Sequence, residues 1–256
     1  MAASTPPRRR LLLGTSLKMY FDLPKTQSYI TSLSGLTSLA TTNNVDLFVI
    51  PDFVSLAPSA ALLSRSPISL GAQDCHSQIS GAHTGSISPL NLRQAGVKIV
   101  EIGHAERRRD YGETDADVAA KAAAVVSQGM TPLVCVGETQ TGNIASAAVG
   151  AAVEEIRPQI AAVLKAIPQE AEVVFAYEPV WAIGKSEPAG KDHVVAVARE
   201  LRRMTEGRSG QVRILYGGSA GPGTWQGIKE GVDGMFLGRF AHDVKNVEKV
   251  IQEMAQ

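Results

Sequence analysis

Short apolar runs with little polar alternation recur along the whole chain: Leu11–Gly14, Val45–Ile50, Ile68–Ala72, Val97–Ile102, Thr131–Val136, Val173–Tyr177, Val212–Tyr216 and Gly234–Leu237. A strand with one face in water alternates apolar and polar positions, whereas a strand buried on both faces has no need to. Helical spacing fills several of the intervals. Asp115–Gln128 carries Val118, Ala122 and Val125, and Ser146–Leu164 repeats Val149, Val153, Ile156, Ile160 and Val163. Lys191–Arg203 carries Val194, Val197 and Leu201, and Asp243–Met254 carries Val247, Val250 and Ile251. Strands that alternate with helices pair in parallel through right-handed crossovers. Eight such repeats predict an α/β fold, a single-domain closed (β/α)8 barrel over residues 1–256, with about residues 1–9 a loose tail. An open parallel sheet is the alternative that counting strands leaves standing.

The length of 256 residues suits one such barrel, and 44% hydrophobic residues are enough to fill its core. Charge is balanced at 25 basic against 25 acidic residues. That balance argues against nucleic-acid binding and against attraction to a membrane surface, and predicts that any bound anion is small and locally held. No apolar run approaches the ~18 residues of a membrane span. The leucines after Arg8–Arg10 are too few for a signal-peptide apolar region. Two cysteines, Cys75 and Cys135, do not make a disulfide framework. The expected location is the cytoplasm.

In a closed parallel barrel the residues just past the strand C-termini converge on one face. Those positions hold Ser16 and Lys18, Gln73, His104 and Glu106, Gly137 and Glu138, Glu178, Gly217–Ser219, and Gly238–Arg239. Glu178 leaves its strand into Pro179 and the apolar segment V-W-A-I-G, which suits a base beneath a closing lid. It could equally be a strand-end carboxylate paired with a lysine. His104 in G-H-A-E-R-R can present a neutral imidazole if a helix starts after it; a structural histidine is the plainer alternative. Lys18 can hold an anion as a point charge, or be simply solvated. Glycines at the last two strand ends, Y-G-G-S and L-G-R, let backbone N–H groups approach a phosphate.

Together these motifs resemble the triosephosphate isomerase family from about Leu12 to the C-terminus. G-H-A-E-R-R, A-Y-E-P-V-W-A-I-G, Y-G-G-S, V-C-V-G-E and the third-loop segment G-A-H-T-G-S-I-S-P fall in the family's order. The resemblance implies Glu178 as the proton-shuttling base, His104 as the neutral electrophile and Lys18 as the cation facing the developing negative charge. It implies Gly184, Ser219 and Gly238 in the phosphate cradle, Glu106 and Cys135 as supporting residues, and neither a metal nor an organic cofactor. It also implies a homodimer through the 73–89 loop.

The departures from the family pattern cluster at the rim of the site. Ser16 stands for an expected Asn, Leu17 for Trp, and Ala105 for Ser; Lys185–Ala189 replaces the lid's far hinge. Ser86 replaces a glutamate expected to pair with Arg107, His83 an aromatic anchor, and Arg239 a glycine beside the phosphate. The resulting expectation is an aldose–ketose isomerase interconverting dihydroxyacetone phosphate and glyceraldehyde 3-phosphate through an enediolate, the step shared by glycolysis and gluconeogenesis. Because Ser16 opens space and Arg239 adds a cation, a longer ketose phosphate such as erythrulose phosphate is the alternative substrate. A barrel that only binds a phosphate ligand is the alternative of a different class.

Overall fold

A computed structural model describes residues 10–140, 145–183 and 189–256. The expected N-terminal tail, residues 1–9, lies outside them. Eight parallel strands close in sequence order into a barrel: β1 Leu11–Ser16, β2 Val45–Ile50, β3 Ser69–Ala72, β4 Ile99–Ile102, β5 Thr131–Val136, β6 Val173–Tyr177, β7 Val212–Tyr216 and β8 Gly234–Leu237. β1 pairs with both β2 and β8, so no sheet edge remains and the open-sheet alternative is excluded. The helices are α1 Leu23–Ser34, α2 Thr37–Thr42, α3 Leu56–Leu63, α4 Pro89–Gln94, α5 Ala105–Tyr111, α6 Asp115–Ser127, α7 Ala145–Ala166, α8 Lys191–Met204, α9 Trp225–Ile228 and α10 Val244–Met254. Among the described residues, no helix is long and apolar enough to cross a membrane.

Local chemistry sets the helix boundaries. Before α6 the Thr114 hydroxyl accepts the Asp117 N–H at 3.2 Å, while the Asp117 carboxylate accepts the Thr114 N–H at 2.9 Å. Each side chain thereby satisfies a backbone donor that the first turn leaves open. Asp22 caps α1 by accepting the Lys25 N–H, with a proline in the first turn. The strands match the apolar runs closely; β4 starts two residues later than the run because Lys98 donates its N–H to Leu70 at 2.8 Å as part of the entering loop.

The core has two layers. Leu12, Phe48, Ile50, Ile99, Leu133, Cys135, Val174, Ala176, Leu215 and Phe236 fill the barrel, and a larger apolar cluster packs the strands against the helices. Inside the barrel the Phe48 and Phe236 rings stack with centroids 5.6 Å apart. Gly14 makes room for this pair, since a Cβ there would lie 2.3 Å from the Phe48 ring. We expect Gly14→Ala to lower unfolding free energy by about 1–3 kcal/mol through overpacking. A urea midpoint equal to wild type would contradict this packing.

Candidate active site

The backbone past β1 turns sharply. Leu17 is buried, with its N–H donated to Ile50 at 2.9 Å, and Lys18 takes a left-handed conformation, φ 48°. For a side-chain-bearing residue such a conformation costs on the order of 1–3 kcal/mol and needs support from its surroundings. The Gln73 amide past β3 supplies it, donating to the Lys18 carbonyl at 2.8 Å. The turn aims Lys18 across the barrel mouth. Its Nζ donates to Glu106 Oε1 at 2.7 Å and lies 3.3 Å from His104 Nε2. Burial disfavours the ammonium, but Glu106, and farther off Glu178 and Glu101, outweigh it and hold the lysine above its ordinary pKa.

α5 does begin directly after His104, which caps it: Nδ1 accepts the Glu106 N–H at 3.1 Å. An accepting Nδ1 leaves the proton of the neutral ring on Nε2. Burial, reinforced by the Lys18 ammonium and opposed by Glu106, lowers the imidazole pKa to about 4. The ring is therefore neutral at physiological pH. Its Nε2–H and the Lys18 ammonium are two donors converging on one region, a geometry that suits an oxygen gaining negative charge.

Glu178 closes the triangle, with Oε2 3.4 Å from His104 Nε2. It is clamped by glycines on the neighbouring strand ends. A Cβ at Gly137 would lie 1.9 Å from the Glu178 carbonyl oxygen, and one at Gly217 2.7 Å from Oε1. Burial raises the Glu178 carboxyl to about 8; Glu101 pushes in the same direction, and Lys18 and the Cys135 thiol against it. A desolvated carboxylate is a strong base.

Beyond Glu178 a short 3-10 turn, Val180–Ala182, starts the lid segment. Glu138, buried after β5, accepts from the Trp181 indole at 2.8 Å and the Tyr177 hydroxyl at 3.1 Å. From the other side, Ser219 Oγ donates to the Ala182 carbonyl at 2.9 Å, and the Ala189 N–H donates to the Tyr216 hydroxyl at 3.2 Å. Gly184 and the hinge residues 185–188 lie outside the described residues.

Ser16, Lys18, His104, Glu106, Glu178, Ser219, Gly238 and Arg239 line one cavity of about 270 Å³. The structure thus brings the expected set together, apart from Gly184, with Cys135 buried behind Glu178. Arg239 is exposed and contributes to the lining of this cavity. Sequence reasoning missed Tyr20, Phe240 and His242, which also line the rim. His242 lies within a second 3-10 turn, Arg239–His242, several residues past a strand end, where no spacing rule points. It also missed the partner of Arg107. With Ser86 in place of a glutamate, Arg107 pairs with Asp74 of its own chain at 2.7 Å, and Asp74 in turn holds Lys121, which also bonds Glu113.

With this geometry in place, the comparisons with known proteins are decisive. The family model for triosephosphate isomerase matches residues 11–254. The chain belongs to the triosephosphate isomerase family. It is similar to L-erythrulose-1-phosphate isomerase of Pectobacterium atrosepticum, 41% identical over 96% of each chain. The proteins of that name from Rhizobium etli and Brucella abortus are 37% and 35% identical, over 95% of this chain and 92% and 96% of theirs. As a member of this family the chain is an isomerase, and the binding-only alternative is set aside.

The electrostatics of the site predict its pH dependence. The fraction of Glu178 that is ionised grows with pH, so kcat/KM should rise through about pH 8, far above the range of an ordinary carboxylate. Because the imidazole pKa is near 4, protonation of His104 should add no limb between pH 5 and 8. A kcat/KM profile that is flat from about pH 5 to 9 would contradict the Glu178 assignment, and a second limb between about pH 5 and 7 would contradict the neutral His104.

Proposed function

We propose that this isomerase acts on a four-carbon ketose phosphate of the erythrulose 1-phosphate class, moving its carbonyl between C2 and C3. Glu178 takes the proton from C3, an enediolate forms, and the same proton returns to C2. The C3 hydroxyl proton passes to the C2 oxygen, so the isomerisation needs no outside reductant or oxidant. Lys18 and His104 Nε2–H stabilise the oxygens of the enediolate, in the pairing of glutamate base and neutral histidine familiar in this family. Ser219, Gly238 and the other glycines past β7 and β8 cradle the phosphate; Gly184 belongs to this proposed cradle, and Arg239 adds a cation at its edge. Glu106 positions Lys18, and Cys135 supports the Glu178 carboxylate. The lid excludes water while the enediolate exists.

Counting atoms shows why one site frame serves three or four carbons. In dihydroxyacetone phosphate the two reacting carbons follow the carbon that bears the phosphate. In erythrulose 1-phosphate they do so as well, and the fourth carbon is a hydroxymethyl group on the reacting carbon farther from the phosphate. Ser16, shorter than asparagine, leaves room near that end, and it lines the cavity. That observation carries the four-carbon reading, and the names of the relatives favour it over the triose expectation. Purified protein should turn over erythrulose 1-phosphate with kcat/KM at least ~10-fold above that for dihydroxyacetone phosphate. The reverse preference would return the chain to triose metabolism.

Assembly as a homodimer through residues 73–89 is part of the same proposal. Ile79 of that loop and Met19, beside Lys18, are exposed apolar side chains at this end of the barrel. Light scattering at micromolar concentration should give twice the 27.1 kDa chain mass; a mass of one chain would contradict the dimer.

A further inference from the structure

Above the Arg213–Asp46–Glu172 ion-pair cluster at its lower end, the barrel interior is apolar up to the site except at Glu101. Ile99 points into the barrel, so Glu101, two residues farther along β4, does too. On β1 Leu12 is interior, and by the same alternation so is Ser16. Both residues are buried, Glu101 at 3% and Ser16 at 4% exposure. Glu101 Oε2 and Ser16 Oγ are buried polar atoms without a hydrogen bond of normal geometry among the described residues. A buried carboxyl with an unpartnered oxygen destabilises a fold, so its presence in a packed barrel calls for a compensating role.

Its place in the barrel suggests that role. The phosphate cradle lies at β7 and β8, and in a closed eight-stranded barrel β4 is diametrically opposite β8. A substrate anchored by its phosphate on one side therefore extends toward β4, past Glu178 and His104. Ser16 lines the cavity, and Glu101 sits behind it, close enough that the Ser16 hydroxyl and the Lys18 ammonium both favour its ionised form. Burial outweighs them and raises the Glu101 carboxyl to about 7. Near neutral pH it is present in both protonation states and can donate to a hydroxyl group as well as accept from one.

We propose that Ser16, oriented by Glu101 behind it, is a hydroxyl-recognising floor that receives the terminal hydroxymethyl group of a four-carbon substrate, so that Glu101 is a positioning residue that sets specificity through the Ser16 hydroxyl. This inference rests on the four-carbon reading of the site. A site built to hydrogen-bond a hydroxyl discriminates strongly, because the wrong substrate leaves its buried groups unpaired.

The test compares wild type, Glu101→Leu and Glu101→Gln in steady-state isomerisation of erythrulose 1-phosphate and of dihydroxyacetone phosphate. For Glu101→Leu the ratio of the two kcat/KM values should shift toward the triose by about 30-fold or more. For Glu101→Gln, which still donates and accepts, the ratio should stay within about 5-fold of wild type. Glu101→Leu should also melt at or above the wild-type temperature, since it removes a buried carboxyl with an unpartnered oxygen. An unchanged ratio in Glu101→Leu, whether both activities fall together or neither falls, would overturn the floor while leaving the four-carbon reading intact. If Glu101→Leu does not fold, Glu101→Met takes its place with the same expected and overturning ratios, and a ratio change of about 30-fold in Glu101→Gln overturns the floor. A wild type that prefers dihydroxyacetone phosphate would overturn the four-carbon reading itself, and the floor with it.

Discussion

The removal of one carboxyl from water is the constraint around which the rest of this site is arranged. Glu178 stands at the end of a strand buried on both faces, clamped where only glycines on the flanking strand ends leave space. Desolvation makes its carboxylate a far stronger base than it would be at the surface. The same desolvation favours its protonated form, and the Lys18 ammonium nearby limits how far. Lys18 in turn needs a backbone conformation that side-chain-bearing residues rarely adopt, and a glutamine from another strand to hold it. Base strength, cation placement and backbone strain are thus one linked arrangement, and the closed barrel makes it rigid enough to persist.

His104 shows how the arrangement separates two kinds of proton chemistry. One ring nitrogen is committed to the first turn of α5, which fixes the tautomer and turns the other N–H toward the cavity. Burial, reinforced by the lysine beside it, keeps the ring neutral. A donor that cannot easily become a cation serves better here than a charged imidazolium, because its acidity lies closer to that of an enediol.

Much of this was legible in the sequence, for identifiable reasons. Strands buried on both faces leave uninterrupted apolar runs, and a closed barrel gathers whatever follows those runs onto one face, so Lys18, His104 and Glu178 could be found by position. The helices α1 to α3 were not found, because Thr26, Ser59 and Ala40 sit on their buried faces and blunt the apolar periodicity. Glu101 was hidden for the opposite reason: it lies inside an apolar run, where a lone charged letter reads as a break in the pattern. The in-chain pairing joins Asp74 of the loop past β3 to Arg107 on α5, and only the folded barrel brings them together.

That pairing bears on how the protein comes into being. An arginine whose partner lies across an interface stays unsatisfied until two chains meet, and its contribution then depends on protein concentration. Here Asp74 meets Arg107 and Lys121 as soon as a single barrel closes. These ion pairs are therefore formed within each single chain. The proposed dimer would then draw on the exposed apolar side chains of the loops, and dilution to single chains would leave these pairs in place.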